Sequence, residues 1–70
     1  MTQNQISNAS PDRLPRLLTA REVAEILAIS QSYVYKLIRD RTIPSIPIGR
    51  SVRVRERALM EFIDERAQSN

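Results

Sequence analysis

Two helix starts lie eleven residues apart, at Thr19 and Ser30, and they limit the folds open to this chain more than any other feature. Thr19 is followed by Glu22, the spacing of a capping box. In that device the hydroxyl accepts from the Glu22 amide, and the carboxylate accepts from the Thr19 amide. Leu18 outside the helix and Val23 inside it are placed as a hydrophobic staple. Ser30, flanked by Ile29 and Val34, repeats the arrangement. The spacing predicts one helix over 20–27, a turn at Ala28-Ile29 and a second helix over 31–40. Two stapled starts so close together set two helices at a steep angle.

Each helix has a wet side and an apolar side. In the first, Val23, Ala24, Ile26 and Leu27 are expected inward, with Arg21, Glu22 and Glu25 toward water. In the second, Leu37, Ile38 and position 41 fall within about 60° of Val34 on a helical wheel. Ser32, Lys36 and Arg39 point the other way, at about 160°, about 200° and about 140°. Gln31 and Tyr35 flank this polar stripe on one side and Tyr33 on the other.

Composition removes several function classes. Seventy residues make one domain at most. Cysteine and histidine are both absent, so no disulfide framework, no thiolate site and no histidine base is available. One glycine cannot build a phosphate-cradling loop. No catalytic constellation stands out, and neither a cofactor nor a metal nor a small-molecule ligand is expected. No apolar run approaches the roughly 18 residues of a membrane span. The N-terminus lacks a signal-peptide layout. The expected setting is cytoplasmic, away from membranes.

Charge is unevenly placed. Lys36 to Arg57 holds seven basic and two acidic residues, a net +5, whereas the remainder carries −2. Ten of the eleven basic residues are arginine, which suits bidentate phosphate or guanine recognition. A polyanion-facing side is one reading, and a merely solvated basic face is the other.

Residues 1–16 are polar, contain Pro11 and Pro15, and read as a disordered arm. Ile43-Pro44 ends the helical region. Ser45 to Val54 alternates as a hairpin. Placing Ile46, Ile48, Val52 and Val54 on one core face demands that Ile48 pair with Val52 and Ile46 with Val54. The loop is then Gly49-Arg50-Ser51, with Arg50 at its tip and Arg53 and Arg55 on the outer face. Pro47 fits if both strands are edges. A third helix is predicted over 57–66, with Leu59, Phe62 and Ile63 inward and Phe62 as core anchor. Residues 67–70 are expected to fray. The ordered domain is therefore expected over 17–66.

Leu17 to Ile63 resembles the excisionase-type winged helix-turn-helix family, related to MerR-type and AlpA-like regulators. The likeness rests on Leu18-Thr19 entering a helix with Val23-Ala24, Ile29-Ser30 before the second helix, Val34-Tyr35 within it, and Ile48-Gly49-Arg50 at the hairpin. It implies a mainly α fold with a small β-hairpin wing and a C-terminal helix. It also implies that the second helix enters the major groove of double-stranded DNA while the wing follows the backbone or minor groove. Members come from bacteria, phages and mobile elements. Many are recombination directionality factors that bend attachment-site DNA and guide an integrase toward excision, and others regulate transcription. Three positions depart from the family pattern. Ala28 stands where glycine is usual in the turn, Arg41 or Thr42 where glycine often ends the second helix, and Arg55-Glu56-Arg57-Ala58 offers no good N-cap to the third.

The expected DNA-contacting residues are Gln31, Ser32, Tyr33, Tyr35, Lys36 and Arg39 on the helix, and Arg50, Ser51 and Arg53 on the wing. Gln31 suits adenine. Arg39 suits guanine or a phosphate, and its late position in the helix favours phosphate. Tyr33 and Tyr35 are open between phosphate contact and packing. Arg50 and Arg53 suit phosphate or a narrow minor groove. Arg55 and Arg57 are peripheral. A chain this small makes few base contacts, so cooperative self-association on repeated sites is expected. The competing class is an adaptor whose basic face meets an acidic protein. The lack of an effector domain favours an excision factor over a regulator.

Overall fold

The computed structural model describes residues 16–68, so all of the expected arm over 1–16 except Arg16, and the last two residues, lie outside the described part. Strand β1 is Leu17–Leu18, helix α1 Ala20–Leu27, helix α2 Gln31–Arg39, strand β2 Ile46–Ile48, strand β3 Ser51–Arg55 and helix α3 Glu56–Gln68. Three helices and a small antiparallel sheet make the expected winged helix-turn-helix.

Both helix starts form as their side chains dictate. Glu22 N donates to Thr19 Oγ1 at 3.0 Å, and Thr19 N donates to Glu22 Oε1 at 2.9 Å. Tyr33 N donates to Ser30 Oγ at 3.1 Å. Leu18, Val23 and Val34 are fully buried, so the staple residues are also core residues.

Both helices end in the same way. Ala28 sits at φ 58° and ψ 43°, left-handed backbone. Ile29 N donates to Ala24 O and Ala28 N to Glu25 O, the two bonds of a Schellman cap. Arg41 repeats this at φ 61°, with Thr42 N on Leu37 O and Arg41 N on Ile38 O. The two positions where the family uses glycine thus keep the glycine conformation with side chains attached, at a cost of about 1–2 kcal/mol each. Arg41 is exposed beyond the helix end and does not extend the apolar stripe. Asp40 is the C-cap of α2.

The hairpin register differs from the expected one. Ile46 pairs with Arg53, Pro47 with Val52 and Ile48 with Ser51. The loop is Gly49-Arg50, two residues, and Ser51 begins β3. Gly49 has φ +60° and Arg50 does not share it, as in a turn with glycine at its first central position. Ile46 and Ile48 therefore share a face with Arg53, and Ile48 is 51% exposed. Two core residues from outside the hairpin make this possible. Leu18 of β1 pairs with Val54, so β3 is the central strand of a three-stranded sheet, not an edge. Ile43, carried inward after the Arg41 turn, is fully buried. Between them they fill the space the isoleucines were expected to fill. Pro47 does lie on an edge strand, since the sheet order is β1-β3-β2.

The core comprises Leu18, Ala20, Val23, Ala24, Val34, Leu37, Ile43, Val54 and Leu59, and no polar side chain is buried among the described residues. Ile26 is 54% exposed rather than inward, because Ala20, Val23, Ala24 and Leu27 form the packed stripe. The anchor of α3 is Leu59, and Phe62 is half-buried against the core. Ile63 lies at the exposed margin. The start of α3 is held from outside the helix: Glu56 N donates to Arg16 O at 3.0 Å, and Arg16 Nε lies 3.9 Å from Glu56 Oε2. Arg16, expected in the arm, is thus tied to the domain. Ala67 and Gln68, expected to fray, continue the helix.

Candidate nucleic-acid interface

The wing sits beside the start of α2, and the two enclose a cleft of about 220 Å³. Gln31 and Tyr35 line it from the helix, and Arg50, Ser51, Val52 and Arg53 from the wing. Five of the nine expected contact residues therefore meet in one place. Thr19, Ala20 and Arg21 close the cleft from the first turn of α1. Arg21 was read from sequence as a solvated residue of α1. Its position beside the wing depends on how the sheet packs against the helices, which has no local sequence signal.

Ser32, Lys36 and Arg39 are exposed, on the side of α2 away from buried Val34. Arg39 also borders a second, larger hollow of about 550 Å³, with Arg41, Ser45 and Pro47 among its walls. Tyr33 goes elsewhere. It lines a groove of about 200 Å³ with Leu27, Ile29, Leu37, Phe62 and Arg66, on the flank of α2 opposite Tyr35. Tyr33 is 49% exposed, and Tyr35 44%. In the same groove the Arg66 guanidinium carbon lies 5.0 Å from the centre of the Phe62 ring, a cation–π contact.

Two of the cations have partners within the chain. Lys36 Nζ donates to Asp40 Oδ2 at 2.8 Å, one helical turn on. The hydrogen bond and the attraction that comes with it raise the Lys36 pKa and lower that of Asp40. Both side chains are more than half exposed, so the pair is salt-screened and contributes little to stability. Its importance is positional, because it places a carboxylate on the polar face of α2. Arg53 Nη1 donates to Val52 O at 2.9 Å, which folds the guanidinium against its own strand. One of its five N–H donors is used in that bond.

The arrangement can hold a polyanion along two lines: the polar face of α2, and the cleft with its three arginines. Among the described residues, no His, Cys, Asp or Glu side chains group as metal ligands would. No helix among them is long and apolar enough to cross a membrane.

The chain matches the model of a helix-turn-helix domain over residues 17–67. It is similar to an excisionase of Streptomyces ambofaciens, 43% identical over 51 residues that cover 73% of this chain and 82% of that one. It is also similar to a protein named as DNA-binding in two strains of Mycobacterium tuberculosis, 35% identical over 49 residues. That alignment covers 70% of this chain and 63% of the mycobacterial protein, so the match spans less than two thirds of the relative's length. No solved structure matches the chain.

Proposed function

The chain belongs to the helix-turn-helix family of excisionase type, and from that premise we propose that it binds double-stranded DNA sequence-specifically and acts as an excisionase. In this role it bends attachment-site DNA and directs an integrase toward excision. Helix α2 lies in the major groove, with Gln31 and Ser32 at its start facing base edges and Lys36 and Arg39 facing base or backbone. The wing follows the neighbouring backbone through Arg50, Ser51 and Arg53. Tyr35 stands between the two at the cleft.

The observation that carries this reading is the cleft itself. It brings the start of the recognition helix and the cationic wing to a common edge, so one duplex can meet both. The similarity to an excisionase over 82% of that protein supports excision as the process.

Footprinting on the attachment sites of the cognate element, with a promoter fragment as control, tests the assignment. Protection in tandem beside the attachment core, with bending and cooperative filling, is the expected result. Protection confined to the promoter would make the protein a transcriptional regulator using the same face. A single site filled without cooperativity would remove self-association from the scheme. About four to six neutralised phosphates give a slope of log K against log salt near −4 to −5. A flat salt dependence, with no loss on Arg39→Ala or Arg50→Ala, would rule out DNA binding by this face and favour an acidic protein partner.

A further inference from the structure

We propose that the cleft between α1 and the wing is a seat for one backbone phosphate, with Arg21 as a DNA-contacting residue alongside Arg50 and Arg53. The proposal rests on the DNA-binding reading and deepens it. Of all the side chains lining the cleft, three are cationic and none is acidic. The three arginines come from two different elements, so the charge is gathered by the fold and not by a run in the sequence. Ser51 and Tyr35 add hydroxyls, and Gln31 adds an amide. These are the donors that a phosphate oxygen accepts from. The volume, about 220 Å³, is several times the roughly 30 Å³ share of a water, so a phosphate group fits.

The first turn of α1 contributes in two ways. The capping box takes up the Glu22 amide and leaves those of Ala20 and Arg21 without an acceptor inside the helix, at the positive end of its dipole. Arg21 projects from that turn, and its Nε lies 3.7 Å from Glu25 Oε2. Both side chains of this pair are largely solvated, so the interaction is weak and Arg21 can turn to a stronger anion. A phosphate seated here bonds to α1 and to the wing at once. It fixes the angle between helix-turn-helix and wing without reading a base. Gln31 and Tyr35 at the edge of the same cleft are thereby brought to a defined depth in the groove.

Fluorescence anisotropy of a labelled mixed-sequence duplex, titrated with the full chain at about 50 to about 200 mM salt, tests this. Arg21→Gln should weaken binding and flatten the salt slope by up to about 0.9, the contribution of one whole phosphate, since Arg50 and Arg53 keep part of the contact. The ratio of wild-type to variant affinity should then shrink by up to about 3.5-fold over that range. The loss should be the same on the cognate site as on the mixed-sequence duplex, because a phosphate contact carries no sequence information. Arg21→Lys should keep the wild-type slope, which separates charge from helix stability, and thermal melting of both variants checks their fold. Glu25→Gln should tighten binding, since it removes the competing carboxylate. If Arg21→Gln keeps the wild-type slope while Arg50→Ala still weakens binding, the seat is overturned and the DNA-binding reading survives. If the wild-type protein binds no duplex at all, both fall together.

Discussion

Replacing Ala28 with glycine should stabilise the protein. The methyl group at Ala28 holds no core position, because the residue is exposed. Its backbone is left-handed, at φ 58° and ψ 43°, where the Cβ of an L-residue crowds the following carbonyl. That crowding costs about 1–2 kcal/mol. Glycine removes it, but glycine also has more freedom in the unfolded chain, which returns about 0.5–1 kcal/mol. No helix propensity is lost, since Ala28 follows the last residue of α1. The Schellman bonds of Ala28 N and Ile29 N are backbone bonds and survive. The net gain is about 0.5–1 kcal/mol, and for a domain of this size Tm should rise by about 2–8 °C. Urea melts followed by circular dichroism should show a higher midpoint with an unchanged m-value. Affinity for DNA should not change, because Ala28 lines neither the cleft nor the hollow beside Arg39. A lower midpoint for Ala28→Gly would refute the argument, for it would mean that the left-handed turn carries no strain for glycine to relieve.

Four further outcomes follow from the same geometry. Asp40→Asn should tighten DNA binding several-fold at low salt, because it removes a carboxylate from the polar face of α2 and releases Lys36; anisotropy across a salt series reads the gain, which should fade as screening rises. The Lys36–Asp40 pair depresses Asp40, so its small contribution to folding is complete above the ordinary carboxylate range and is lost as pH falls through the lowered Asp40 value. At the alkaline end the raised Lys36 value sets the limit, so a melting temperature that drops between neutrality and mild acidity would exclude this pair as its cause. Ile43→Ala should cost about 2–5 kcal/mol, enough to unfold a marginal domain, and Ile26→Ala, at an exposed position, should cost far less; similar melts for the two would show that Ile43 is not core. Thr19→Ala should cost about 0.5–2 kcal/mol through loss of the capping box, seen as a lower urea midpoint.

Features whose cause lies within a few residues were legible in the sequence. Thr19 with Glu22, and Ser30 with the amide three residues on, decide helix starts by chemistry that is complete inside one turn. The bounds of α1 follow to the residue. The hairpin register was not legible, because it is set by partners far along the chain. Alternation alone suggested that Ile46 should oppose Val54. Val54 has Leu18 on its other side, and Ile43 reaches the core from a loop with no period. A two-residue strand such as β1 is too short to show alternation at all. Similarly, Phe62 outranks Leu59 by size, yet Leu59 is the one aimed at the core. Among the contact candidates, those near the cleft were found from charge and helical phase. Arg21 was not, since a charged residue next to a helix start looks the same whether it meets solvent or a wing. Tyr33 and Tyr35 differ by two positions, which on a helix sends them to opposite flanks.

With DNA bound as proposed, the ion pair on α2 and the cleft beside it would divide the work of binding between approach and seating. In the free protein Lys36 is neutralised at 2.8 Å by Asp40, so that pair adds almost nothing to the field an approaching duplex meets. Arg50 and Arg53 face no acidic side chain across the cleft, Arg21 has only its solvated Glu25 pair, and the wing presents Arg50 at its exposed tip. Long-range attraction is therefore concentrated at the wing edge, and a duplex arrives there first by its phosphates, whatever its sequence. In that mode Lys36 would contribute only once the helix is seated, because a phosphate or base edge must then displace Asp40. That exchange is favourable where the groove offers an acceptor at the right place. Where the fit is poor it is unfavourable, since Asp40 is left facing the backbone. The carboxylate would thus act against non-cognate docking at the position where a bare lysine would bind any sequence.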